Sequence, residues 1–102
     1  LGNFAIGEFM PYPNPVTGNS MYFNYDFNQT AERVVLRIYD VAGHKVAQHD
    51  TFDFASAQRG RFRWDLRNDN GKIVANGVYF YKLEITKNGQ TFKKRGKFAV
   101  MR

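Results

Sequence analysis

A chain of 102 residues, 43% of them hydrophobic, has the length of one domain and enough apolar material for a core without cross-links. Cysteine is absent, which excludes disulfides and thiolate metal sites, and no apolar run approaches the roughly 18 residues of a membrane-spanning helix. The formal net charge of +6 is unevenly spread: Lys93, Lys94, Arg95, Lys97 and Arg102 form an acid-free cluster, and Arg59, Arg61, Arg63 and Arg67 surround Trp64. Such a field suits anionic partners, or more plainly a solvated strand face that resists self-association.

The chain opens Leu1-Gly2-Asn3 with neither Met nor a signal peptide, as a piece of a longer protein would. Residues 1–10 read as linker or first strand, and residues 11–102 as the domain proper. The first strand is expected near 3–9. Pro11, Pro13 and Pro15 then hold residues 10–15 extended and withhold ladder donors. From there, alternation of period two dominates. Met21, Phe23, Tyr25 and Phe27 share one face of a strand at 20–27, and Val34, Leu36 and Ile38 repeat the pattern at 32–40. Asp40-Val41-Ala42-Gly43 has Asp first and Gly fourth, as a type I turn prefers, and leads into a strand at 45–53. Phe62, Trp64 and Leu66 alternate against Arg61, Arg63 and Asp65 over 59–66, and Asn68-Asp69-Asn70-Gly71 is a second turn. Tyr79, Tyr81, Leu83 and Ile85 alternate over 78–86. Asn88-Gly89 is a strong hairpin signal, and Phe92, Phe98 and Val100 share a face at 91–100. No stretch has helical periodicity beyond a turn. Short strands at this spacing predict an all-β sandwich, with a five-stranded barrel as the less favoured packing. The expected core includes Phe23, Leu36, Ile38, Phe62, Trp64, Tyr81, Leu83 and Phe98.

Residues suited to catalysis are scarce. Ser20 and Ser56 lie in no nucleophile-elbow context. His44 and His49, five apart, would point to opposite faces of one strand and read as exposed hairpin histidines. Asp65, Asn68, Asp69 and Asn70 offer clustered oxygens, but Arg67 stands where a calcium loop needs a ligand, so a turn is the better account. Arg61-Phe62-Arg63-Trp64 could stack bases or sugars, yet the phase of Phe62 and Trp64 assigns both rings to the core. No catalytic residue, cofactor, metal site or nucleic-acid partner is expected.

Two stretches carry a resemblance. One is Leu36-Arg37-Ile38-Tyr39-Asp40-Val41-Ala42-Gly43-His44-Lys45-Val46. The other runs from Trp64-Asp65 through Asn68, Gly71 and Val74 to Gly77-Val78-Tyr79, Tyr81 and Leu83. Together they resemble the immunoglobulin-like domain of the flagellar hook-capping protein, a pattern shared by C-terminal domains of proteins exported by the type IX secretion system of Bacteroidetes. Pro13-Asn14-Pro15 is similar to that family's opening motif and Gly77-x-Tyr79 to its Gly-x-Tyr motif. Lys97-Phe98-Ala99-Val100-Met101-Arg102 resembles its closing basic–apolar–basic strand. The resemblance covers about residues 11–102 and implies a seven-stranded immunoglobulin-like β-sandwich, monomeric as an isolated domain.

In function, the resemblance implies a non-catalytic export and surface-attachment signal. Its partners would be the outer-membrane secretion machinery and a sortase, with anionic lipopolysaccharide as the attachment partner and the outer membrane or cell surface as its place. Lys97, Val100, Arg102 and Gly96 would be read as signal, with Lys97, Met101 and Arg102 facing outward. The chain closing on Arg102, mid-strand, favours secretion over flagellar assembly. The long 64–77 segment is closer to the hook-capping form, and whether the domain is cleaved from a cargo or retained in a machinery component stays open. The rival readings are a passive module binding acidic glycan or another protein, and a hook-capping-like assembly domain.

Overall fold

The computed structural model describes residues 3–50 and 59–102. Its strands are β1 (Ile6–Tyr12), β2 (Met21–Phe27), β3 (Arg33–Tyr39), β4 (Lys45–His49), β5 (Arg59–Trp64), β6 (Gly77–Lys87) and β7 (Gln90–Val100). They form a three-stranded sheet in the order β1-β2-β5 and a four-stranded sheet in the order β4-β3-β6-β7, with every ladder antiparallel. This is the sandwich arrangement of the immunoglobulin type.

The period-two phases become the inner faces. The eight expected core residues are all buried, joined by Phe9, Val16, Met21, Phe27, Leu66, Val74 and Ile85 among others. Aromatic rings tie the layers together: Phe23 meets Tyr81 and Phe98 edge-on at 5.5 and 5.8 Å, and Trp64 meets Phe98 at 6.1 Å. Such geometries add to the area term because ring edges meet ring faces of opposite partial charge. The Trp64 indole N–H, which could not be buried without a partner, donates to the Arg67 carbonyl at 3.0 Å.

The turns close as their chemistry requires. Asp40 Oδ1 accepts from the Ala42 and His44 amides, and Gly43 takes φ 86°. Asn68 Oδ1 accepts from Asn70 and Lys72, with Gly71 at φ 81°. Asn88 and Gly89, at φ 53° and 77°, make the tight turn joining β6 to β7.

Three expectations need correcting. First, β1 runs over 6–12 rather than 3–9, and Pro11 lies inside it, opposite Phe23. An edge strand needs ladder bonds on only one side, so a missing donor is tolerated there. Phe4 and Phe9 are also buried, so the segment before residue 11 contributes to the core. Second, β5 stops at Trp64: Leu66, buried at φ 60°, belongs to the crossing between sheets, where its carbonyl accepts from the Val74 amide at 2.8 Å. Third, His49 is not an exposed hairpin histidine. Its ring packs against Phe62 at 4.7 Å and Trp64 at 6.3 Å. The part of the expected 45–53 strand beyond residue 50 lies outside the described residues, as does Ser56.

Candidate interaction site

The chain passes from one sheet to the other just after β1, and that crossing lays residues 14–16 along the outer edge of β7. Val16 and Val100 form a parallel bridge. The Val16 amide donates to the Ala99 carbonyl at 2.7 Å, the Met101 amide to the Val16 carbonyl at 2.8 Å, and the Ala99 amide to Asn14 Oδ1 at 3.1 Å. Pro13 and Pro15 flank Asn14, each after a cis peptide bond. Neither proline has an N–H that would need a partner at this crossing.

The other motif residues arrive at the same pole. Gly77 pairs with Val100 and Tyr79 with Phe98 in the β6–β7 ladder. Gly77 has φ 151°, a backbone state that residues with a Cβ rarely hold. The Tyr79 and Phe98 rings stack at 5.9 Å, and the Tyr79 hydroxyl donates to the Ala75 carbonyl at 2.6 Å. Burial pushes the Tyr79 hydroxyl pKa up; the Asp40 charge adds to this, and Arg102 opposes it.

Arg102 is exposed, as expected of an outward-facing end, but it does not hang free. Its amide donates to Asn76 Oδ1 at 3.1 Å, Asn76 Nδ2 donates to its carbonyl at 2.8 Å, and its guanidinium donates to the Val74 carbonyl. Val100 is fully buried and Gly96 sits under the Tyr81 ring, where an added Cβ would collide with the hydroxyl oxygen. Geometry thus gives Val100, Gly96 and Arg102 packing and tethering duties, whereas Lys97 projects into solvent with Met101. The sequence offered no signal for Val16 or Asn76 as partners of β7. Asn14, between two prolines, was recognisable only as part of a motif.

Upstream of Ala99, no strand among the described residues pairs with the outer edge of β7. In an antiparallel ladder, alternate residues turn both backbone groups toward the neighbouring strand. The bonds made by Ala99 fix the phase, so Thr91, Lys93, Arg95 and Lys97 turn their N–H and C=O groups away from β6. Their side chains, and that of Lys94, are exposed, and none of these cations is in an ion pair among the described residues. Between this edge and β1 runs a groove of about 780 Å³, lined by Phe9, Met10, Tyr12, Tyr81, Lys94 and Gly96 among others.

The remaining polar constellations are spent on structure. Asp65 Oδ1 accepts from the Arg67 amide at 3.2 Å and Asp69 Oδ1 from the Gln48 amide at 3.1 Å. His44 Nδ1 lies 3.5 Å from Asp40 Oδ2. The Arg61 guanidinium stacks over Tyr22 at 4.8 Å, on the face opposite the buried Phe62 and Trp64. What the outer edge of β7 presents is main-chain pairing capacity and positive charge.

An immunoglobulin-like sandwich built around these motifs defines the class. The chain belongs to the FlgD Ig-like domain family, whose model matches residues 14–89, from the Asn-Pro of the opening motif to the β6–β7 turn. Comparison with curated proteins gives no match.

Among solved structures, latent dimeric PorU of Porphyromonas gingivalis is similar at TM-score 0.77 and 23% identity, over 98% of this chain and 10% of that one. PorZ, described as an essential bacterial surface component of the type-IX secretion system of the same organism, is similar at TM-score 0.59 and 24% identity, over 92% and 11%. A module of the cell-surface-expressed chitinase ChiW of a Paenibacillus species is similar at TM-score 0.67 and 17% identity, over 97% and 9%. The chain therefore spans about a tenth of the length of these proteins. At such identities the likeness is one of fold.

Proposed function

We propose that this domain is a non-catalytic export and surface-attachment module of the type IX secretion pathway, recognised through β7 at the outer membrane. The observation that carries the reading is the convergence of Pro13-Asn14-Pro15, Gly77-x-Tyr79 and the closing strand at one pole. There they tether the end of β7 while leaving residues 91–97 of its edge open. Sandwiches of this fold in PorU and in PorZ, a type IX surface component, support the pathway. The machinery and a sortase would be its partners, anionic lipopolysaccharide its attachment partner, and the cell surface its destination. The match to the FlgD Ig-like domain family supports one rival, a hook-capping-like assembly role.

The test is a reporter carrying residues 1–102 at its C-terminal end, expressed in a type IX-competent host and in the same host lacking the translocon. Surface delivery in the first and retention in the second is the expected result. Equal behaviour in both would overturn the proposal.

A further inference from the structure

We infer that the open edge of β7 takes an extended acidic segment of a partner protein, added as a further strand over residues 91–97. The inference rests on β7 being the recognition strand and names the chemistry that recognises it.

The edge is already used in this way within the molecule. Val16 pairs with it in parallel through main-chain bonds to Ala99 and Met101, and Asn14 Oδ1 takes the Ala99 amide, so its geometry accepts an added segment there. Upstream, the outward backbone groups of Thr91, Lys93, Arg95 and Lys97 continue the same row of donors and acceptors. A second copy of this chain is the wrong occupant. Edge-to-edge pairing would set Lys93, Arg95 and Lys97 against their own counterparts, and like charges directly opposite repel.

Charge also selects the occupant. Side chains of an added strand alternate between the sheet's two faces. Those on the outer face would stand beside Lys93, Arg95 and Lys97. The nearest carboxylate on that face, Glu84, opposite Lys93 in register, is engaged by Arg37 at 3.3 Å. Carboxylates at alternate positions of the incoming strand would supply the missing counter-charge. The residues between them would point toward the groove lined by Phe9, Met10 and Tyr81, with the Lys94 stem along its side, where apolar side chains fit. The recognised pattern is therefore acidic–apolar alternation in an extended segment, the strand-addition mode of peptide recognition.

The test uses the whole chain and a synthetic peptide alternating Glu with Val, long enough to span residues 91–97. Binding is followed by amide chemical shifts and by hydrogen exchange. The expected result is saturable binding that protects the amides of Lys93, Arg95 and Lys97, and that weakens by at least about tenfold for a peptide N-methylated at alternate residues. Added salt should weaken it further, because exposed charges are screened. Absence of binding, shifts confined to the outer face of the sheet, or equal affinity for the N-methylated peptide would overturn the inference. Failure here with intact export of the reporter would leave the export reading standing. Binding here without export would sink the export reading alone.

Discussion

Gly96 and Tyr81 show how packing alone can fix the residue at one position of the closing strand. The glycine sits opposite Tyr81 in the β6–β7 ladder, and the tyrosine ring lies flat across the space a Cβ would take. The hydroxyl ends 3.4 Å from the Phe9 carbonyl in the other sheet, long for a hydrogen bond but enough to bring the ring across the sandwich. The facing sheet repeats the device less tightly, with Gly60 opposite Tyr25 and a Cβ there 3.0 Å from its hydroxyl. Gly96→Ala should therefore destabilise by about 1–3 kcal/mol through overpacking. In a Tyr81→Leu background the same change should cost clearly less, because the obstructing ring is gone. Denaturant unfolding of the four proteins closes the cycle. Additive costs would show that Gly96 is constrained by something other than Tyr81.

At the scale of elements, the decisive unit is the pairing of residues 14–16 with the end of β7. Asn14→Ala removes the acceptor of the Ala99 amide and should cost about 1–2 kcal/mol. The mark of the mechanism is local: exchange of the Ala99 amide should accelerate more than that of Phe98, whose backbone groups face β6. Uniform acceleration along β7 would contradict it.

This pairing also marks where the sequence stops being legible. Period two and Asn/Asp-Gly turns placed the strands, because each signal acts within a few residues. The eight expected core residues, Trp64 among them, are buried for the same reason. By contrast, the bonds from Val16 to Ala99 and from Asn76 to Arg102 join residues far apart in the chain, and no local pattern encodes them. Arg102 therefore read as a free outward end, and His49 as exposed, since its aromatic neighbours come from β5. Pro11 misled in the opposite sense: its rule is local, but edge position, a property of the whole sheet, overrides it.

At the scale of the whole molecule, pH probes the burial that holds the layers together. Burial raises the pKa of Tyr25 and of Tyr81, and raises that of Tyr79 with help from Asp40. The unfolded chain would ionise these phenols near the ordinary value of 10.0, while the folded chain holds them neutral. Their contribution is thus complete below that pH and is lost as pH climbs through the raised folded values. Melting temperature should fall steeply above about pH 10, with part of the tyrosinate absorbance appearing only as the protein unfolds. Asp40 works at the opposite end. Backbone bonding by the His44 amide, with help from Ala42, lowers its pKa, so its share is present above the ordinary 3.8 and lost as pH falls through the lowered folded value. A melting temperature flat across the alkaline range would refute the burial account of the three tyrosines.

On the proposed function, the open edge of β7 is what a receptor reads. Deleting residues 97–102 is a poor probe, since it also removes buried Phe98 and Val100 and the Arg102 tether. Neutralising the edge leaves these in place: Lys93→Gln, Arg95→Gln and Lys97→Gln alter exposed side chains that lie in no ion pair among the described residues. Each should shift stability by no more than about 0.5 kcal/mol. The direct measurement is surface delivery of a reporter fused to this triple variant in a type IX-competent host, beside the melting temperature of the isolated variant. The expected result is a near-native melting temperature with delivery largely lost. Delivery at the level of the unmodified domain, by a variant equally well folded, would contradict it.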